Sequence, residues 1–327
     1  MSKKRVLSGI RATGRLHLGN YFGAVKGMLS LQKDPRYETF YMVADLHTLT
    51  TPCDPKTLKK EVREVVLDYL AVGLDPERST IFVQSQVPEH LELAYLFSTA
   101  ISLARMQHLP TYKEKVKQYP QHSTVALLYY PVLMAADILA YKAEAVPVGI
   151  DQEPHLEIAR EIARKMNSLY GLNFPEPKRY ITKGEYIPSL TGQGKMSKSV
   201  EGSYINLTDS LETIKKKLAK IPTDLGKGRK IPQTGGVAAL LTLVGLFEGE
   251  TKRKDYEDKY LKEGVQYSDL KRRLAETIDR ELNPIREKRK DFEKKPALVE
   301  KILKEGANRA RKVARQTVRE TKEAMGL

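Results

Sequence analysis

Four short apolar runs in the first 150 residues, separated by longer segments of helical period, constrain this chain more than any other feature. The runs are "RVLSG" (5–9), "TFYMVAD" (39–45), "TIFVQS" (80–85) and "EAVPVG" (144–149). Each is β-branched or aromatic and bounded by Gly, Asp or Pro, as buried strands are. Between them, "PKTLKKEVREVVLDYLAVG" repeats Leu58, Val62, Val65, Val66, Tyr69 and Leu70 at helical spacing. Asp54 before Pro55 suits an N-cap with proline in the first turn, and Gly73 suits the stop. Strands alternating with helices imply right-handed crossovers and an α/β fold whose parallel sheet is covered on both faces. Ligands of such sheets bind beyond the carboxyl ends of the strands.

Past residue 205 the strand signal disappears. "SLETIKKKLAK", "GVAALLTLVGLF", "YSDLKRRLAETIDREL", "PIREKRKDFEKK" and "ALVEKILKEGANRARKVARQTVRETKEAM" all read as helices, with a Gly/Pro/Lys-rich loop at 222–236. A domain boundary is expected near 204, giving residues 1–204 and an all-helical 205–327. The final helix is expected to pack back on the first domain. Charge divides unevenly across that boundary. Of a net +15, residues 1–204 hold 26 Lys and Arg against 21 Asp and Glu, whereas 205–327 hold 30 against 20. A basic helical third points to a polyanion, nucleic acid first, although a solvated lysine-rich surface gives the same count. No apolar run is long enough for a bilayer, the start lacks the pattern of a signal peptide, and Cys53 is the only cysteine. A soluble cytoplasmic protein with no membrane partner is expected.

Two segments carry possible chemistry. "SGIRATGRLHLGNYFGAV" (8–25) follows the first strand; His17 and Asn20 would project together from the first turn of a helix, where N–H groups are unpaired. "GKMSKS" (194–199) sets Lys195 and Lys198 on a glycine-bearing stem. Alone, a Lys/Ser loop is an ordinary solvated connection, and HLGN an ordinary cap.

Together, and in this order, HxGN and KMSKS resemble the two signatures of class I aminoacyl-tRNA synthetases. "VADLHTLT" (43–50), "LLYYPVLMAADILAYKAEAVPVGIDQEPHLEIAREIARKMN" (127–167) and "EAMGL" narrow the resemblance to the bacterial tryptophanyl-tRNA synthetase family, over essentially the whole chain. The resemblance implies a Rossmann-type catalytic domain over 1–204, a helical anticodon-binding domain over 205–327, and a homodimer. It also implies a two-step reaction. The carboxylate of L-tryptophan attacks the α-phosphate of ATP, accompanied by Mg2+, and the adenylate then passes to the 3′ end of tRNA(Trp). Carried over residue by residue, His17, Asn20, Lys113, Lys195 and Lys198 would act on the phosphates. Arg11, Ala12, Thr13, Gly19, Asn20, Gly149, Ile150, Asp151, Ile187, Lys195, Met196, Ser197, Lys198 and Ser199 would meet ATP. Tyr130, Met134 and Asp137, spaced four and three apart on one helix face, would meet tryptophan with Gln152, Ser8 and Val148. A Tyr/Met stripe at that spacing is usually plain core. Asp137 breaks that reading, because a carboxylate on an apolar face is costly unless paired, and an indole N–H would pair it. No protein-held metal is expected.

Relatives often carry Gln and Pro where this chain has Arg11 and Ala12, which leaves the role of Arg11 open. A tyrosyl-tRNA synthetase, whose pocket helix typically has glutamine at the position of Met134, is the nearest alternative. An RNA-binding paralogue that does not aminoacylate, and a nucleotidylyltransferase, are further ones.

Overall fold

A computed structural model describes residues 3–181, 186–198 and 200–327. Its centre is a five-stranded, wholly parallel sheet: β1 (Lys4–Arg11), β2 (Tyr37–Ala44), β3 (Ser79–Val83), β4 (Ala145–Val146) and β5 (Lys178–Arg179), in the order β3-β2-β1-β4-β5. β1 and β2 pair from Lys4 opposite Tyr37 to Arg11 opposite Ala44. The last six residues of β2 are buried, which fits its near-continuous apolar sequence.

The expected strands shorten where chemistry requires it. The 144–149 run pairs only at Ala145 and Val146, because Pro147 has no N–H to donate. Asp45 opens a helix and Gln84 a 3-10 turn, so both neighbouring strands end earlier than their sequences suggest. β5 is only two residues long, too short to leave a period-2 signal.

The crossovers supply α1 (Leu18–Asn20), which passes through a π turn at Tyr21–Val25 into α2 (Lys26–Lys33), then α3 (Asp45–Thr48) and α4 (Pro55–Ala71). After β3 come α5 (Glu89–Ser98), α6 (Leu103–Gln107), α7 (Pro110–Gln118) and α8 (Val125–Leu139); α9 (Glu153–Tyr170) follows β4. The start of α4 is capped as its sequence suggests: the Asp54 carboxylate accepts the Lys56 N–H at 2.9 Å.

Beyond the sheet lie α10 (Leu211–Ala219), α11 (Gly235–Glu248), α12 (Glu250–Lys262), α13 (Tyr267–Glu293) and α14 (Pro296–Met325). The sequence suggests a break before Pro284, yet α13 continues through it. Pro284 and the Arg280 that would have accepted its hydrogen bond are both exposed, so water can serve the freed carbonyl. The apolar core does not stop at residue 204: one cluster runs from Val6 and Tyr41 through Ile205 and Leu240 to Ile278 and Ile302. α14 lies against β3, so close that a Cβ on Gly306 would stand 1.8 Å from the Ile81 carbonyl oxygen. It is pinned by Arg315 to Glu89 at 2.8 Å and by the Thr317 hydroxyl to the Ala140 carbonyl at 2.7 Å.

Strand order reverses direction between β1 and β4. The crevice beyond their carboxyl ends is where an open parallel sheet binds ligands. Residues 12–17 leave β1 there and residues 147–152 leave β4.

Candidate active site

His17 caps α1 and is 7% exposed. Its Nδ1 accepts the Gly19 N–H at 3.0 Å, while the Asn20 side-chain oxygen accepts the His17 N–H at 3.2 Å. A nitrogen that accepts a backbone N–H carries no proton, so the proton of the neutral ring sits on Nε2 as a donor. Burial, and then the charges of Lys198 and Lys195, push the imidazole pKa down to about 3. Gly19 must be glycine here, since a Cβ would meet the His17 ring at 2.8 Å.

The two signature lysines reach opposite walls of the crevice. Lys198 Nζ donates to the Thr13 carbonyl at 2.7 Å, beyond β1. Burial lowers its pKa to about 8, against the attraction of Asp68, Glu61 and Glu64. Lys195 Nζ lies 3.0 Å from Asp151 Oδ1, beyond β4. Burial raises the Asp151 carboxyl, but Lys195 and the Gln152 amide outweigh it and hold the pKa below the ordinary range. The stem between the lysines is anchored: Met196 is buried, its N–H goes to the Ile187 carbonyl at 2.8 Å, and the Ser197 N–H goes to Ser203 Oγ at 3.2 Å. Ser199 lies outside the described residues.

Asp151 also ends a chain of hydrogen bonds. The Tyr130 hydroxyl meets His155 Nε2 at 2.6 Å, and His155 Nδ1 donates to Gln152 Oε1 at 3.1 Å. Gln152 Nε2 then donates to Asp151 Oδ2 at 2.9 Å. Burial pushes the His155 pKa down to about 4, which keeps its Nε2 an acceptor at neutral pH. α8 is thereby linked to Lys195. Sequence reading passed over His155, although it stands three residues from Gln152 at the start of α9, a spacing that places both on one side of the helix.

Asp137 sits beneath Tyr130 and Met134 on the same face of α8. Those two are half-buried, whereas Asp137 is completely buried. It is not the unpartnered carboxylate that its apolar face suggested. His47 Nε2 lies 2.8 Å from Oδ2, and Gln84 Nε2 donates to both oxygens at 2.8 and 2.9 Å. His90 Nδ1 stands 2.8 Å from Oδ1, close but poorly aligned, and its Nε2 meets the Tyr141 hydroxyl at 2.7 Å. Burial opposes ionisation, yet His47 and His90 hold the carboxyl far below its ordinary value. His47, Gln84 and His90 come from three different segments, so no local pattern could have joined them to Asp137.

Other expected residues separate on inspection. The Ser8 hydroxyl donates to the Pro147 carbonyl at 2.8 Å and is buried, so it braces β1 against the end of β4 and its proton is not free for a ligand. The Ala12 N–H is likewise taken, by Thr48 Oγ1 at 2.9 Å. Arg11, Thr13 and Ile150 are exposed, and Val148 and Gly149 are half-buried at the crevice rim. Lys113 is exposed, whereas Lys115 is half-buried, donates to Gln118 at 2.7 Å, and has its pKa lowered by burial and by Arg11. The two lysines stand on opposite sides of α7, Lys115 on the more buried one. Among the described residues no cluster of three His, Cys, Asp or Glu is placed to hold a metal ion. The donor set of the crevice, lysine ammoniums and a neutral imidazole N–H, fits phosphate oxygens instead.

A crevice at the switch point of a parallel sheet, with a histidine N–H on one wall and paired lysines spanning both, defines a nucleotide-using class I synthetase site. The chain belongs to the family described as tRNA synthetases class I (W and Y), which matches residues 2–283. It is 40% identical to the tryptophan–tRNA ligase of Porphyromonas gingivalis, over 98% of each chain. It is 41% identical to the tryptophan–tRNA ligase of Thermotoga maritima, over 99% of each. Tryptophanyl-tRNA synthetase from Campylobacter jejuni, complexed with ADP and tryptophan, superposes with a TM-score of 0.84 at 34% identity, covering 99% of this chain and all of that one.

Proposed function

We propose that this chain is a tryptophan–tRNA ligase, which activates L-tryptophan with ATP to the adenylate, releases pyrophosphate, and transfers the aminoacyl group to the 3′ end of tRNA(Trp). The observation that carries the reading is the convergence of Lys195 and Lys198 on opposite walls of the crevice between β1 and β4. The substrate carboxylate is itself the nucleophile, so the protein's work is positioning and charge stabilisation.

His17 Nε2–H and the Asn20 amide donate to phosphate oxygens as charge grows there. Lys198 exchanges the Thr13 carbonyl, and Lys195 exchanges Asp151, for the departing pyrophosphate. Each lysine already has a protein partner, so each is held near its target before reaction. Thr13, Gly149, Ile150, Asp151 and the backbone at Ile187 line the nucleotide's path, and Arg11 with Lys115 lies on its open side. Mg2+ would arrive on the phosphates of ATP, the usual mode for an ion that is held through its nucleotide. Met134 offers the indole a polarisable face and Asp137 offers its N–H an acceptor. Because His47 covers Oδ2, entry of the ring requires the His47–Asp137 bond to yield. Tyr130 and Gln152, already joined through His155, receive the substrate ammonium.

Residues 1–204 form the catalytic unit and 205–327 the anticodon-binding unit. Exposed Arg272, Arg280 and Lys288 on α13 supply positive charge for tRNA. Arg286 and Arg289 do not, since both are engaged inside the protein. The working form is a homodimer in the cytoplasm. α5 exposes Leu91 and Tyr95 one turn apart, and a second copy of this chain would cover them. No helix among the described residues is long and apolar enough to cross a membrane.

The test is amino-acid-dependent exchange of labelled pyrophosphate into ATP. Tryptophan should support it and tyrosine should not. Exchange with tyrosine alone would replace this reading with tyrosyl-tRNA ligase, and exchange with neither would remove the chain from catalysis.

A further inference from the structure

α13 sends one arginine inward. Arg289 is 3% exposed on a helix whose other basic residues are mostly at the surface. Its guanidinium is engaged on every side. Nη1 donates to the Asp68 carboxylate and, at 3.0 Å, to the Glu64 carbonyl; Nη2 reaches the Glu64 carboxylate at 2.7 Å, and Nε reaches Glu293 at 2.9 Å. Asp68, fully buried on α4, uses its other oxygen to accept the Leu16 N–H at 2.5 Å. Glu64, one turn earlier, also accepts from Arg15 Nε at 2.6 Å.

Two carboxylates aligned by one guanidinium therefore hold two consecutive residues of the turn that ends at His17. The same turn contains Thr13, whose carbonyl holds Lys198 at 2.7 Å. Its far side is secured by the Leu207 N–H to the Leu16 carbonyl and the Leu18 N–H to the Ile205 carbonyl, both at 2.9 Å.

We propose that Arg289 is a positioning residue for adenylation: through Asp68 and Glu64 it fixes the 13–17 turn, and with it the gap between His17 and Lys198 that receives the triphosphate. The proposal rests on the ATP-dependent reading of this crevice. A buried ion cluster is a poor choice for stability alone, since apolar residues of the same volume often do as well. What apolar residues cannot do is accept the buried Leu16 N–H, which would otherwise be left without a partner. Arg289 favours the ionised form of Asp68 for that bond: burial pushes the carboxyl pKa up to about 6 even with the guanidinium and the Leu16 N–H lowering it, and without Arg289 it would rise further. The network also makes α13, a helix of the C-terminal third, a physical support of the phosphate site.

The experiment compares wild type, Arg289→Lys, Arg289→Met and the double variant Asp68→Leu/Arg289→Met. Pyrophosphate exchange gives kcat with separate KM values for ATP and tryptophan, and thermal melting gives Tm. Arg289→Met should lower kcat about 10–100-fold, the scale of a misplaced reacting group, with tryptophan KM nearly unchanged. Its Tm should fall, and Arg289→Lys should restore part of both. The double variant should recover Tm, having no uncompensated charge, yet remain slow because Leu16 has lost its acceptor. Full recovery of kcat in the double variant would overturn the proposal, reducing the cluster to a stabilising one. Hydrogen–deuterium exchange over residues 12–18 reads the turn without substrate. It should show lost protection in both the single and double methionine variants, and unchanged protection would overturn the proposal. If the wild type shows no tryptophan-dependent exchange, the functional reading fails, while this last measurement still decides whether Arg289 fixes the turn.

Discussion

The proposed amino-acid end of the crevice and its proposed phosphate end are built on opposite terms. At the amino-acid end, Asp137 is sealed from solvent and held by His47, Gln84 and His90, each contributed by a different segment. At the phosphate end, Lys195 and Lys198 are each tied, among the described residues, by a single short contact, to Asp151 and to Thr13. A dense network yields only at a cost, at the His47–Asp137 bond that the ring must displace, and so suits discrimination between side chains. A single tie is easily exchanged, which suits groups that must follow a charge as it forms. Selectivity and rate should therefore respond to different substitutions.

The largest effect should come from the loosely tied end. Lys198→Ala is expected to lower the adenylation rate about 100–1,000-fold, the size seen when one transition-state donor is removed. Tryptophan affinity should hardly move in an equilibrium titration; a large change there would erase the division between the ends. Next comes Asp137→Ala. Loss of a charged acceptor removes about 1.5–3 kcal/mol, so kcat/KM for tryptophan should fall roughly 10–150-fold, and rejection of tyrosine should weaken. Wild-type selectivity in this variant would show that the sealed network does not read the side chain.

The pH profile sharpens the comparison further. Lys198 acts as a cation and its pKa is lowered to about 8, so kcat/KM for ATP should fall about tenfold per unit above that pH. Lys198→Arg should remove this limb. A limb unchanged in that variant would assign the titration elsewhere. Stability should respond on the acid side. His17 and His155, with folded pKa values of about 3 and about 4, stay neutral when folded but take protons when unfolded below about 6.5. The unfolded state then binds more protons, and each group should cost up to roughly 1.4 kcal/mol per pH unit as pH falls from 6.5 towards its folded value. Denaturant melts at pH 7 and pH 5 measure this, and His155→Gln should flatten the difference.

The smallest effect should be Lys113→Ala, within about twofold in exchange, as for most exposed positions. Lys115→Ala should raise the KM for ATP clearly more. The reverse order would assign the phosphate role to Lys113, as the resemblance implies.

This last pair shows where the sequence stops being readable. Alternating strands and helices reveal the parallel sheet, and HLGN with GKMSKS picks out residues that meet at the crevice, because each pattern is contiguous in the chain. Lys113 and Lys115 are two residues apart, and only the packing of α7 decides which one is half-buried. The Asp137 partners are farther from view still. His47, Gln84 and His90 follow two different strands and meet only because β2 and β3 are neighbours in the sheet. Pro284 misled for a related reason: whether a helix survives a proline depends on what surrounds the orphaned carbonyl.

The seating of α14 on β3 reaches back into how the protein is made. β3 is an edge strand, open to pairing with other chains until something covers it, and its cover is translated long after it. A nascent polypeptide halted anywhere before residue 296 leaves the ribosome with that edge bare and prone to aggregation. No tryptophan codon stands in the way, for the chain contains no tryptophan. A cell starved of that amino acid can finish the helix, close the edge and assemble the protein at the moment it is most needed.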